Sequence, residues 1–311
     1  MPETILVPLD GSPTAAVALP VAKTLARTVH ADLLLLRVVR DEDQGPERDR
    51  REMEDAQRSL ARIAAELAGT GLQVSTLVRR GAAAEEILGA AAERRANLVV
   101  MATHGRSGLP RAALGSVAER VLAGSPAPVV LVRPGGRRVA HVRTVLVPVD
   151  GTPGGALALS AALGLARAAG ARIVLLDIAV PVPLWLFASE GGALLAGTID
   201  PSWDLDAQRA AATYVDRLAR RISQAGVEAE GRAEIGDPTE VIAAVAEQVS
   251  ADLVVMSTHA LSGPARALLG SVADGVVRTC GRPVLLVRRE HQVAGAALGP
   301  TTAEPAAAAP A

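Results

Sequence analysis

Residues 97–122 read NLVVMATHGRSGLPRAALGSVAERVL, and residues 252–277 read DLVVMSTHALSGPARALLGSVADGVV. Each stretch opens as a short apolar strand, passes through a loop and enters a helical pattern at a Gly-Ser pair, Gly115-Ser116 or Gly270-Ser271. A strand that hands a loop to a helix N-terminus gathers backbone N–H groups that have no partner inside the helix, and such a spot favours an anion. Two such stretches mark an internal duplication, which constrains the chain to two copies of one α/β unit. The rest of the sequence keeps the same rhythm. VPLDGSP at 7–13 returns as VPVDGTP at 147–153, so Asp10 corresponds to Asp150, while Gly81 corresponds to Gly236 and Gly115 to Gly270. The offset grows from 140 to 155, which implies a 15-residue insertion within residues 181–204 of the second copy.

Within the first copy the elements follow from local pattern. Residues 4–9 form an apolar strand with Pro8 near its end, where a missing ladder donor matters least. Ser12 followed by Pro13 is an N-cap and first-turn pair, opening an alanine-rich helix to about His30. DLLLLRVV at 32–39 is nearly continuous in apolar residues, as in a parallel strand covered on both faces. A charged amphipathic helix over 47–68 stops at Gly69, and the alternating strand over 72–78 belongs nearer an edge. Helix 81–95, strand 98–101, helix 116–123 and strand 128–132 complete the unit. The alternation βαβαβαβαβ implies a doubly wound parallel sheet. The expected division is 1–134 for the first domain, PGGRRVAHV at 134–142 as the join, 143–289 for the second domain, and a disordered low-complexity tail over 290–311.

Composition removes several function classes. A formal net charge of -1 leaves no electrostatic footprint for nucleic acid or an anionic membrane surface. No apolar run reaches the length of a membrane span, and no signal peptide is visible after Met1, so a cytoplasmic location is expected. The single cysteine, Cys280, allows no disulfide within the chain, and the five histidines do not fall at zinc-ligand spacing, so no metal site is assigned. Lys23 is the only lysine and lies far from any G-K-[ST], which rules out a Walker-type loop. A phosphate here must be held by backbone N–H, hydroxyl or arginine. All four aromatic residues, Trp185, Phe187, Trp203 and Tyr214, fall in or just after the insertion. Packing of that insertion onto its own domain is the favoured reading, with a lid or association surface as the alternative.

In a doubly wound sheet, ligands bind beyond the carboxyl ends of the strands where the strand order reverses. Asp10 leaves the first strand at that rim, and residues 103–116 leave the fourth. Asp10 would accept hydrogen bonds from ligand hydroxyls. Gly105 and Gly108 would let backbone approach phosphate oxygens, and Ser116 with its helix N-terminus would hold the terminal charge. Each piece also has a structural reading. Ser116 and Glu119 have capping-box spacing, the two glycines suit positive φ in a turn, and Asp10 suits a brace for the turn before Ser12. His104 has no base or nucleophile beside it in the motif, and no catalytic residue is assigned.

VPLDGSP at 7–13, MATHGRSG at 101–108, LGSVAERVL at 114–122 and PVVLVR at 128–133 resemble a universal stress protein domain. VPVDGTP, MSTHALSG, LGSVADGVV and PVLLVR repeat the resemblance, which covers nearly all of 3–289 in two copies. The resemblance implies a five-stranded parallel sheet of order 3-2-1-4-5 in each half, of the adenine nucleotide alpha hydrolase-like type. In one subclass it implies ATP bound through G-x2-G-x9-G-[ST]. The corresponding frame here is Ala102-x2-Gly105-x9-Gly115-Ser116, with Thr103 between, so the first glycine is an alanine. Asp10 would then meet the ribose and backbone around Val38 the adenine, with Mg²⁺ near Asp10 and Ser116 if it accompanies the phosphates. The second frame is Ser257-x2-Ala260-x9-Gly270-Ser271, with Asp150 and Ile178 as its remaining partners, and lacks both leading glycines. An alanine held in the left-handed region costs about 1–2 kcal/mol, and about 1.4 kcal/mol is a tenfold change in affinity. The first domain is therefore expected to bind ATP and the second to bind weakly or not at all. The family resemblance also implies pairing through the last strand. Here one copy's apolar edge can cover the other's as an intramolecular pseudo-dimer, with further homodimer formation left open.

The leading function is thus a nucleotide-binding stress-response regulator. A ligand-free interaction scaffold and a slow ATP-hydrolysing or adenylyl-transferring enzyme are the alternatives.

Overall fold

The computed structural model describes residues 3–41, 45–104, 114–180, 203–258 and 270–288. Ten strands form one continuous sheet: β1 (Thr4–Pro8), β2 (Asp32–Val39), β3 (Val74–Arg80), β4 (Leu98–Ala102), β5 (Val129–Val132), β6 (Thr144–Pro148), β7 (Arg172–Ala179), β8 (Ala229–Ile235), β9 (Leu253–Ser257) and β10 (Val284–Val287). The order is β3-β2-β1-β4-β5-β10-β9-β6-β7-β8. Each half is parallel throughout and has the expected 3-2-1-4-5 order, and the central β1 and β6 are flanked by β2 and β4, and by β7 and β9. Pro8 and Pro148 are the last residues of these central strands, so each chain direction keeps its ladder up to the rim. β3 and β8 lie at the outer edges, and β3 begins two residues later than the alternation suggests.

The helices divide between two faces. α1 (Pro13–Ala16), α2 (Ala18–Val29), α3 (Pro46–Ala68), α6 (Pro153–Ala169) and α7 (Trp203–Gln224) cover one face. α4 (Ala83–Glu93), α5 (Ser116–Gly124), α8 (Pro238–Gln248) and α9 (Ser271–Thr279) cover the other. Strand residues alternate between them: Leu33 and Leu35 enter the first core, Leu34 and Leu36 the second. Both cores run across both halves, and Leu25 of α2 and Leu165 of α6 share one of them.

The halves meet where β10 runs antiparallel to β5, with Val284 opposite Leu131, Leu285 opposite Val130 and Leu286 opposite Val129. This is the intramolecular pairing that the apolar last strands imply. Two arginines reinforce it reciprocally. Arg133, just past β5, donates to the carbonyl of Thr279 at the end of α9 (3.1 Å), and Arg288, just past β10, donates to the carbonyls of Leu122 (3.1 Å) and Ala123 at the end of α5. A guanidinium at a helix C-terminus satisfies orphan carbonyls and meets the negative end of the dipole. The join is strapped down as well: Arg137 N–H donates to Gly281 O, and Thr24 Oγ1 of α2 donates to Val139 O.

Residues 181–202 of the 181–204 insertion lie outside the described residues, as do Trp185 and Phe187 and the whole of the 290–311 tail. Tyr214 is half-buried on α7 and packs against the core of its own half.

Candidate functional site

The rim turn after the central strand is built in the same way in both halves. Leu9 N–H donates to Leu36 O at 2.7 Å and Val149 N–H to Leu176 O at 2.8 Å, which carries each chain one residue beyond its strand. Asp10 Oδ1 then accepts from Ser12 N–H (2.8 Å) and Ser12 Oγ (2.6 Å), and Ser12 Oγ accepts from Ala15 N–H (3.0 Å). In the second half Asp150 Oδ1 accepts from Thr152 N–H (3.0 Å) and Oγ1 (2.6 Å), and Thr152 Oγ1 accepts from Gly155 N–H (3.3 Å). The bracing and N-capping roles read from sequence are therefore present, and in each turn the aspartate braces through its Oδ1 atom.

The ends of the fourth-strand loops are equally well defined. Ala102 ends β4 and is buried. Thr103, 3% exposed, donates its N–H to Val132 O and accepts at its own carbonyl from Gly115 N–H at 2.9 Å. That hydrogen bond ties the foot of β4 to the start of α5. Thr103 Oγ1 lies 3.0 Å from His104 Nδ1, while His104 Nε2 is buried with no hydrogen-bond partner among the described residues. Gly105 and Gly108 lie outside the described residues. Val38 sits half-buried near the end of β2, on the α4–α5 face.

Ser116 is not a cap. Gly115 is the N-cap of α5 and Ser116 its first helical residue, so the capping-box spacing of Ser116 and Glu119 is one residue out of register. Gly270 and Ser271 repeat this at α9. A glycine cap offers no side-chain oxygen, so the first-turn N–H groups of both helices are left for other acceptors. The two glycines stand in different backbone settings. Gly270 has φ +70, where an L side chain is strained, whereas Gly115 has φ −65 and a Cβ there would stand 3.1 Å from Thr103 O.

Five residues singled out in the second half, Asp150, Ile178, Ser257, Gly270 and Ser271, line a single cavity of about 360 Å³. Its walls are otherwise largely apolar, with Leu176, Ile242, Met256 and Val272 among them. It also contains Asp177, which sequence analysis did not single out. Burial, opposed in part by a hydrogen bond from Ile178 N–H and reinforced by the nearby Asp150, raises the Asp177 carboxyl above the usual carboxylate range. Burial and the same two carboxylates also raise the Tyr214 phenol. The equivalent position in the first half is Arg37, whose guanidinium packs so closely over Gly11 that a Cβ there would overlap it. The signal was present in the sequence as the one charged residue near the end of each second strand, DLLLLRVV against RIVLLDIA. Among the described residues no three His, Cys, Asp or Glu side chains lie together as a metal site, and no helix is long and apolar enough to cross a membrane.

The chain matches the sequence profile of the Universal stress protein family twice, over residues 1–133 and 141–288. It is 30% identical over 245 residues to a universal stress protein of Mycolicibacterium smegmatis, covering 78% of this chain and 77% of the relative. It is 36% identical over 138 residues to a universal stress protein of Thermus aquaticus, which spans 42% of this chain and 98% of that one. Among solved structures, a universal stress protein from Archaeoglobus fulgidus superposes with a TM-score of 0.69 at 21% identity, covering 92% of this chain and 96% of that one, which shows a shared fold. A duplicated family match, a duplicated rim turn and a shared fold converge: the chain belongs to the universal stress protein family and carries two of its domains in tandem.

Proposed function

We propose that the chain is a nucleotide-binding regulatory protein of the stress-response type, with ATP held in the crevice of the first domain, residues 1–134. The observation that carries this reading is the glycine-capped start of α5 tied to the foot of β4 through Gly115 N–H and Thr103 O. It leaves first-turn N–H donors beside a rim that also carries Asp10. Asp10 would meet the ribose, backbone near Val38 the base, and Ala102, Thr103, Gly105, Gly108, Gly115 and Ser116 the phosphates. Without a lysine in the loop, charge stabilisation falls to main-chain donors and the helix N-terminus. A Mg²⁺ ion would depend on the phosphates for most of its ligands, as is usual for that ion. The second domain, residues 143–289, carries the weaker nucleotide site, because Ser257 and Ala260 replace both leading glycines.

The test is to denature freshly purified protein, identify released nucleotide by mass and measure its stoichiometry. About one ATP per chain supports the reading. Replacement of Gly105 by a bulky residue should abolish retention, and unchanged retention refutes the assignment. One observation favours a second reading, a ligand-free interaction scaffold: both rim aspartates are engaged in bracing their own turns. Absence of any released nucleotide, with no ATP binding on titration, selects that scaffold.

A further inference from the structure

We infer that the side chain at the end of each domain's second strand, Arg37 in one crevice and Asp177 in the other, sets the charge of the ligand, so that the second crevice takes an uncharged nucleoside-type molecule and rejects its polyphosphate. The inference rests on the nucleotide-binding reading above and deepens it.

The two positions are structurally equivalent. Pro8 pairs with Leu36 and Pro148 with Leu176, so Arg37 and Asp177 are each the next residue toward the rim. Arg37 packs its guanidinium over Gly11, the residue after Asp10, so the first half has one charge of each sign where the second has two carboxylates. Asp177 lies in one cavity with Asp150, and after burial these two carboxylates are what raise the Tyr214 phenol of α7. Gly155 stands where the first half has Ala15, and a Cβ there would be only 2.9 Å from Asp150 Oδ1. The missing methyl gives that carboxylate its room at the cavity wall.

Ionised carboxylates are pure acceptors. The second crevice therefore offers acceptors at one end, an apolar wall through Ile178, Ile242 and Met256, and the α9 N-terminus at Ser271. That combination suits a flat apolar ring bearing hydroxyl or amino donors. At about 360 Å³ among the described residues, the cavity is of small-ligand size. A polyphosphate entering it would bring several negative charges against the half-buried Asp177 and the exposed Asp150. In the first half the equivalent side chain is a guanidinium, so an anionic ligand there meets one carboxylate and one cation instead of two carboxylates.

The experiment is equilibrium dialysis of the full chain with labelled ATP and labelled adenosine, on wild type, Asp177→Arg, Asp177→Asn and Arg37→Asp. Wild type should bind one ATP, and one adenosine that excess ATP does not displace. Asp177→Arg should create a second ATP site at least tenfold tighter than any second-site binding in wild type. Asp177→Asn should move the same way by less, and it keeps the test open if the arginine variant fails to fold. Arg37→Asp should weaken the single ATP site at least tenfold while leaving adenosine binding in place. Unchanged ATP stoichiometry and affinity in both Asp177 variants overturns the inference. ATP binding absent from wild type, with adenosine retained and a new ATP site in Asp177→Arg, would sink the first-domain ATP assignment and uphold the charge rule. No binding of either ligand by any form refutes both.

Discussion

Truncating Leu285 to alanine tests whether the two domains share one core. Leu285 is 1% exposed on β10, opposite Val130 of β5, which is fully buried. The side chain also borders a small apolar gap of about 10 Å³ lined by residues of both halves, including Leu25, Leu98, Leu165 and Leu253. Leu285→Ala removes three methyl or methylene equivalents, at about 0.8 kcal/mol each, or about 2.4 kcal/mol of transfer free energy. The walls are strand residues (Leu98, Val130, Leu253) and residues of α2 and α6 (Leu25, Val29, Leu165), and whatever vacated volume they do not refill joins the existing gap and adds roughly 24 cal/mol for each Å³ left open. The expected loss is about 4 kcal/mol, within the roughly 2–5 kcal/mol span of such truncations. Urea unfolding read by two probes makes the test specific. Both tryptophans, Trp185 and Trp203, belong to the second half, so fluorescence reports that half, whereas far-ultraviolet circular dichroism reports both. A shared core requires the two midpoints to coincide in wild type and to shift together in the variant. Leu205→Ala, at a leucine 53% exposed on α7, should change stability by less than about 0.5 kcal/mol. A midpoint shift seen by fluorescence alone, or a loss below about 1 kcal/mol, would refute the reasoning.

Three further outcomes follow from named contacts. Arg288→Ala leaves the end carbonyls of α5 without their donor and should lower stability by about 1–2 kcal/mol, with Arg133→Ala doing the same for α9; a double-mutant cycle measures whether the reciprocal pair is coupled. Gly270→Ala forces an L side chain to φ +70 and should cost about 1–2 kcal/mol, whereas the Cβ of Gly115→Ala meets the Thr103 carbonyl instead, so its loss should be accompanied by exchange of the Gly115 amide proton. Because the Asp177 carboxyl is raised in the folded protein, the fold binds its proton more tightly than the unfolded chain does, and stability falls as pH rises through the folded value. Asp177→Asn should therefore raise the thermal midpoint at neutral pH, and the difference should vanish in acid once the wild-type carboxyl is protonated in both states; an advantage that persists at low pH would contradict the assignment.

The strands were legible because apolar runs such as LVVMA and LLLL report burial on both faces of a parallel sheet, whereas their order came from the family resemblance and the rim aspartates from the repeated VPLDGSP and VPVDGTP turns. Ser12 was legible as a cap because a hydroxyl followed by proline has few other uses, and Thr152 before Pro153 turns out to cap its helix in the same way. The role of Ser116 was misjudged by one position. Capping-box spacing depends on where the helix begins, and Gly115, a residue with no side chain to signal, is the actual cap. Arg37 and Asp177 were passed over because each is a single charge in an apolar run, and their importance appears only when the two copies are superposed through the strand register. Arg133 and Arg288 look like ordinary basic residues trailing a strand. Their carbonyl partners lie in the other domain, more than 140 residues away, beyond the reach of any local pattern.

The antiparallel joint between β5 and β10 has a spatial consequence for any pair of occupants. Because every strand of one half runs against every strand of the other, the two sets of carboxyl termini point to opposing sides of the slab. No single small molecule can bridge both rims, and no flat partner surface can cover them at once. Communication between them would have to pass through the shared interior, along the Leu25–Leu165 contact region and the two arginine clasps, which makes those residues the natural place to look for cross-talk.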